Sequence, residues 1–121
     1  MANRSFEGKR IVLTGASSGI GWYLASELVR AGAFVVITAR RNERLQQLRQ
    51  SFGNPSKRLI AVPGDICDAN HRQRLVDTAA SRLGGLDILI NNAGIASETP
   101  FMDISEEEWK EIVDVNLTGM F

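Results

Sequence analysis

The chain has 121 residues, a formal net charge of zero at neutral pH, one cysteine and one histidine. That length supports one domain with a real core and no more, and the even charge provides no field to draw nucleic acid or an anionic membrane. A single cysteine excludes a disulfide framework, a single histidine weakens any zinc site, and nowhere do ~18 apolar residues run together as a membrane span requires. The polar start Met1-Ala2-Asn3-Arg4-Ser5 is unlike a signal peptide, so a cytoplasmic protein without metal is expected.

In chain order, residues 1–9 read as a polar lead-in that turns at Gly8 and Lys9, and residues 10–14 as a strand buried on both faces. That strand runs straight into Thr14-Gly15-Ala16-Ser17-Ser18-Gly19-Ile20-Gly21, and a helical pattern follows from Trp22. The N–H groups at a helix start lack intrahelical partners and lie at the positive end of the dipole, so a phosphate placed there satisfies both. Gly15, Gly19 and Gly21 permit a sharp turn and the close approach of a pyrophosphate, while Ser17 and Ser18 add hydroxyl donors. Taken alone, the three glycines also fit an ordinary strand-to-helix turn.

The first helix is expected to face inward with Ile20, Leu24, Leu28 and Val29 and to stop at Gly32. Residues 33–38, rich in β-branched side chains, form the second strand. Asn42 is placed to cap a second helix that turns Leu45, Leu48 and Phe52 inward and closes at Gly53-Asn54-Pro55. Residues 58–62 are a third strand. After the turn Pro63-Gly64-Asp65, Asp68 caps a third helix carrying Leu75, Val76, Ala79 and Leu83, and Gly84-Gly85 ends it. Residues 86–90 are the fourth strand, running into Asn91-Asn92-Ala93-Gly94. Beyond Pro100, Ser105 with Glu108 forms a capping box for a last helix through Trp109, Ile112, Val113 and Val115 towards Phe121.

Strand and helix alternating four times is the pattern of a doubly wound parallel α/β sheet, Rossmann-like, with strand order 3-2-1-4. Ligands of such sheets bind beyond the carboxyl ends of the strands. Here those ends carry the glycine turn and residues 38–41, 64–66 and 92–94, so four loops meet on one edge.

With these loops placed, Thr14-Gly15, three residues, Gly19-Ile20-Gly21, then Asp65, then Asn91-Asn92-Ala93-Gly94, then Asn116 together resemble the short-chain dehydrogenase/reductase family. Three residues between the first two glycines match its main single-domain branch, and the resemblance runs from residue 9 to residue 121. It implies an NAD(P)-dependent oxidoreductase that moves hydride between a nicotinamide cofactor and a carbonyl or alcohol. It also implies a homo-oligomer in the complete protein, with no nucleic-acid or membrane partner. By the same resemblance Asp65 and Ile66 receive the adenine, Asn92, Ala93 and Gly94 pass the riboses, and Asn116 is the catalytic asparagine that helps to hold a water chain. Each position has a plain structural alternative. Asp65 reads also as a turn or cap residue, and Asn116 as an internal helix residue. Asn91 and Thr14 are expected to brace neighbouring strands, Cys67 to be a small core residue and His71 a surface helix residue.

An acidic residue about 20 positions beyond the glycine turn suits the ribose 2′-OH of NAD, and an arginine suits the 2′-phosphate of NADP. The second strand ends Thr38-Ala39-Arg40-Arg41, without a carboxylate. Paired guanidinium donors match a phosphate, so NADP is expected, with Arg40 as principal contact and Ser17 and Arg41 assisting. The competing reading leaves both arginines solvated at the start of the second helix.

The family's catalytic serine and Tyr-x-x-x-Lys lie downstream of Asn116 in its pattern, whereas this sequence reaches only Phe121. Its one tyrosine, Tyr23, is followed four residues later by Glu27 rather than lysine. The chain therefore reads as the N-terminal dinucleotide-binding portion of a larger domain, residues 1–121, ending inside a helix and inactive by itself. An unpaired parallel edge at the fourth strand would make it poorly soluble alone. The alternative is a stand-alone, non-catalytic nucleotide-binding or regulatory module. Substrate, reaction direction and oligomer size are not encoded in these residues.

Overall fold

The computed structural model describes residues 4–53 and 57–121. Four parallel strands are joined by helices: β1 (Arg10–Thr14), α1 (Gly19–Arg30), β2 (Phe34–Thr38), α2 (Asn42–Gln50), β3 (Leu59–Ala61), α3 (Ala69–Thr78), β4 (Ile88–Ile90) and α4 (Glu106–Asn116). The sheet order is β3-β2-β1-β4, as the alternation of elements requires. Val12 pairs with Val36 on one side and Leu89 on the other, so β1 is the central strand from which the chain winds both ways.

Alternation along each strand divides the core. Ile11, Leu13, Val35 and Ile37 point to the layer of α1 and α2, where they meet Ala25, Leu28, Leu45 and Leu48. Val12, Val36 and Ile60 point the other way and meet Leu75 and Ala79 of the helical segment that begins with α3. A buried Val, Leu or Ile contributes roughly 1.5–3 kcal/mol by leaving water, which favours the apolar-run strands over any register that would expose them.

Local signals act where they were expected at two helix starts. The Asp68 carboxylate accepts the Asn70 N–H (2.8 Å), and the Ser105 hydroxyl oxygen accepts the Glu108 N–H (3.1 Å). Elsewhere the structure departs from the sequence reading. Asn42 is the first helical residue of α2 rather than its cap, and its side chain instead accepts from Gln46. Ile20 is 76% exposed, because the inward stripe of α1 runs along Gly21, Ala25, Leu28 and Val29 and leaves Ile20 at its edge. Val76 is also exposed, and the chain after α3 widens into a π-type turn over Ala79–Leu83 before left-handed Gly84. The α-helix α4 ends at Asn116, followed by a 3-10 turn over Thr118–Met120, where one continuous helix to Phe121 was expected. The proposed stop at Asn54-Pro55 and the lead-in residues 1–3 lie outside the described residues; α2 itself ends at Gln50.

One polar knot ties the amino ends of β1 and β4. Asp87 accepts from the Arg10 backbone N–H (2.8 Å), from Nε (2.9 Å) and from Nη2 (2.9 Å), while Arg10 Nη1 donates to the Gly84 carbonyl (2.8 Å). The Arg10 hydrogen bonds hold the Asp87 carboxyl well below the usual carboxylate range. A depressed acid stabilises the fold fully above its unfolded value near 3.9, and that contribution is lost as pH falls through the folded value. Asp87→Asn is therefore expected to lower the urea midpoint at pH 7, with the gap from wild type closing as pH drops from about 4 towards 2. A gap that stays constant over that range would assign the effect to packing instead of charge.

Candidate functional site

Two glycines of the β1–α1 turn leave no room for a side chain. Gly15 has φ 71°, and a Cβ there would stand 2.8 Å from the Ala93 Cα. A Cβ on Gly21 would stand 2.1 Å from the Gly15 carbonyl oxygen and 2.6 Å from Asn92 Nδ2. Gly19 differs, since its φ of 57° is left-handed but it faces open space. Ser18 caps α1 in extended backbone without a side-chain capping bond. The N–H groups of Gly19, Ile20 and Gly21 find no acceptor among the described residues. Donors left unpaired at a helix start are what an anion completes.

The end of β4 is locked to the end of β1 by two side chains. Thr14 Oγ1 accepts the N–H groups of Asn92 (3.1 Å) and Ala93 (2.9 Å), and Asn92 Nδ2 donates to the carbonyls of Thr14 and Gly15 (both 3.2 Å). Thr14 thus braces as expected. Asn91 does not: it is exposed and makes no hydrogen bond among the described residues, and Asn92 takes that part.

At the end of β2, Arg41 Nη2 donates to Ser17 Oγ (3.4 Å) and Arg44 Nε to the Ser17 carbonyl (3.1 Å), with the Arg44 guanidinium 4.8 Å over the Trp22 ring. Arg44 and Trp22 were not singled out from the sequence; a cation–π pair between separate helices leaves no local pattern. The Arg40 guanidinium is exposed and makes no hydrogen bond or ion pair among the described residues.

At the end of β3, exposed Asp65 accepts the Cys67 N–H on Oδ1 (2.9 Å), so it shapes its own turn. Cys67 is half-buried rather than a core residue, with its thiol pushed up first by burial and then by Asp65. His71 is no surface residue. It is 1% exposed, with Nε2 2.8 Å from Thr38 Oγ1, and burial followed by the charge of Arg74 lowers its pKa below the ordinary histidine value.

Helix α4 holds the loop after β4. Asn116 Oδ1 accepts the Ile95 N–H and its Nδ2 donates to the Ile95 carbonyl, both at 2.8 Å. Glu108 does not close a capping box with its carboxylate, which instead accepts the hydroxyls of Ser97 and Thr99.

These strand ends enclose a cleft of about 690 Å³, the size of a small-molecule site. Of the residues singled out from the sequence, Gly15, Ser17, Ser18, Ile20, Arg40, Arg41, Asp65, Ile66, Asn92, Ala93 and Gly94 line it. Gly19, Gly21 and Asn116 do not: Gly21 is buried in the turn, and Asn116 stands behind Ile95. Thr38, Ala39, Gly64, Ile95 and Val115 also line the cleft and were not named as site residues. Among the described residues no cluster of His, Cys, Asp and Glu could hold a metal ion, and no helix is long and apolar enough to cross a membrane.

The family model for short chain dehydrogenases matches residues 9–121. The chain belongs to the short-chain dehydrogenase family. An uncharacterized oxidoreductase of Listeria innocua is 35% identical over 116 residues, covering 96% of this chain and 47% of that protein. The crystal structure of a short-chain dehydrogenase/reductase from Brucella melitensis superposes with a TM-score of 0.91 at 35% identity, over 96% of this chain and 49% of that one. A 3-ketoacyl-(acyl-carrier-protein) reductase from Brucella melitensis, complexed with NADH, gives 0.88 at 35% identity, over 96% and 47%. The chain thus spans about half the length of each of these three proteins. In this member of the family the two crowded glycines set the turn.

Gly21→Ala is expected to cost about 1–3 kcal/mol by overpacking against Gly15 and Asn92. Gly19→Ala meets only a left-handed backbone penalty, about 1 kcal/mol at the low end of its range. Urea denaturation of both variants checks the order, and a Gly19→Ala loss equal to or above that of Gly21→Ala would show that crowding is not the constraint.

Proposed function

We propose that this chain is the cofactor-binding portion of an oxidoreductase that transfers hydride between NADP(H) and a carbonyl or alcohol substrate. The observation that carries the reading is the pairing of unsatisfied N–H groups at the start of α1 with an unpartnered Arg40 across one cleft. The donor set suits a dinucleotide. The Ile20 amide and the Ser17 and Ser18 hydroxyls, which line the cleft, would hold the pyrophosphate. Asp65 has a carboxylate oxygen left to accept from an adenine amino group, beside the Ile66 backbone. Ala93 and Gly94 would border the riboses.

Bound there, the nicotinamide supplies or accepts the hydride. The residues of this chain bind and orient. Arg40 would meet a 2′-phosphate with paired donors, Arg41 assists while holding Ser17, and no carboxylate stands between residues 38 and 41 to favour a bare ribose. Asn116 fixes the Ile95 backbone at the cleft wall, a positioning role within the catalytic apparatus. In the complete protein the serine and the Tyr-x-x-x-Lys of the family would follow Asn116, in a cytoplasmic homo-oligomer.

Calorimetric titration of the purified protein with NADPH and with NADH, beside Arg40→Ala, tests the reading. Hydrogen bonds to a charged group contribute about 1.5–3 kcal/mol, so the variant is expected to bind NADPH ~10- to 100-fold more weakly and NADH within about twofold of wild type. Equal loss for both cofactors, or none for NADPH, would overturn the assignment of Arg40. Absence of binding by the folded wild type would overturn the dinucleotide reading itself.

A further inference from the structure

The ends of β2 and β3 form one wall of the cleft, and a single buried side chain lies behind both. Backbone bonds tie these ends together: Val62 N–H donates to the Ile37 carbonyl (2.9 Å) and Gly64 N–H to the Ala39 carbonyl (3.0 Å). Behind them, His71 rises from the first turn of α3. Its ring reaches Thr38 Oγ1 on one strand end and lies against the Gly64 backbone on the other. A Cβ on Gly64 would stand 2.3 Å from Nδ1 and 2.4 Å from Cε1, so the ring fills the place of a side chain there. Thr38 and Gly64 both line the cleft.

The tautomer follows from the neighbours. Arg74 Nη2 lies 3.3 Å from Nδ1, and a guanidinium can only donate. Nδ1 is then the acceptor, Nε2 carries the proton, and Thr38 Oγ1 receives it, leaving the threonine hydroxyl proton free to donate elsewhere. A second proton on the ring would set Nδ1–H against the Arg74 donor and place a charge in a buried position.

We propose that His71 is a positioning residue for the adenosine end of the cleft, holding the β2 and β3 ends at the spacing a dinucleotide needs, and that only its neutral ring does so. This rests on the dinucleotide reading of the cleft. The charged groups that face the ring are Arg74 on its own helix, Asp68 at the cap of that helix and Asp65 from the loop after β3. Burial and Arg74 disfavour the imidazolium, and the two carboxylates only partly offset them. In the folded protein the ring therefore stays neutral until pH falls through its own value, which lies below the ordinary one near 6.5, and its positioning contribution is lost only there.

The test is NADH binding to the purified protein from pH 8 to pH 5.5, followed by nicotinamide fluorescence. NADH is the probe because it lacks the 2′-phosphate, which would itself titrate in this range. His71→Gln keeps an N–H donor for Thr38 but cannot take a charge, and His71→Leu keeps bulk without the donor. Wild-type affinity is expected to be level above about pH 6.5, and any fall below it, by no more than ~10-fold per pH unit for one proton, is expected to be absent from both variants. His71→Leu is expected to bind about tenfold more weakly at pH 8, the worth of one hydrogen bond near 1.4 kcal/mol, with no acid loss. His71→Gln recovers most of that affinity and is likewise flat with pH. Circular dichroism of each variant separates lost folding from lost positioning. The same acid loss in His71→Gln as in wild type, or wild-type binding by folded His71→Leu, would overturn the proposal while leaving the dinucleotide reading intact. Failure of the folded wild type to bind NADH and NADPH at any pH would remove that reading and this inference together.

Discussion

The ligand edge depends on how closely the β1–α1 turn packs against the end of β4. Gly21 lies so near the Gly15 carbonyl, and Gly15 so near Ala93, that a single methyl group at either position would have to displace backbone. This contact brings Asn92 Nδ2 within reach of the Thr14 and Gly15 carbonyls and lets Thr14 gather the Asn92 and Ala93 amides. Because β1 is central in the sheet, the chain leaves it towards β2 and reaches β4 on its other side, opening a crevice where the two directions part. The cleft is a consequence of the strand order, and the glycines keep its narrow side closed.

Around that knot the residues divide by what they touch. Thr14, Asn92, Arg44, Glu108, Asn116 and His71 spend their hydrogen bonds on other parts of the protein, fixing loops that border the cleft. The groups that line the cleft with bonding capacity to spare are the Ile20 amide at the head of α1, the Ser17 and Ser18 hydroxyls, one oxygen of Asp65 and Arg40. Donors held in place before the ligand arrives lose little entropy on binding. The helix dipole adds roughly half a positive charge at the same point. Helix α4 has no fully buried side chain, so its paired bonds to Ile95, Ser97 and Thr99 are what join it to the loop.

Features that are local in sequence were legible, and features made by distant neighbours were not. The order of strands and helices, the Asp68 and Ser105 caps and the chemistry of the four loops each depend on a few adjacent residues. Three departures concern the phase or the bounds of a helix. The inward stripe of α1 leaves Ile20 at its edge, facing the cleft, α2 starts at Asn42 and so moves the cap to Arg41, and α4 ends at Asn116, short of Phe121. His71 was misread because polarity and helix position both place a lone histidine outside. Its burial is decided by Thr38 and the missing side chain of Gly64, and Thr38 lies 33 residues away. Asn92 rather than Asn91 braces β1 for a similar reason, since only the packing of the glycine turn chooses between two adjacent asparagines.

The charge distribution sharpens the proposed role of Arg40. With 14 basic and 14 acidic residues the chain has no net field to steer an anionic ligand, and exposed charges farther apart than about 8–10 Å are screened in physiological salt. Preference between two cofactors that differ by one phosphate must therefore arise at short range. Of the three arginines at the mouth of the β2 end, Arg41 and Arg44 already hold Ser17 from its side chain and its carbonyl. Moving either away from Ser17 would release that part of the glycine turn. Arg40 carries no such cost, because no other bond among the described residues has to be broken. The arrangement thus leaves Arg40 free for the proposed contact with a 2′-phosphate, while Arg41 and Arg44 hold the turn.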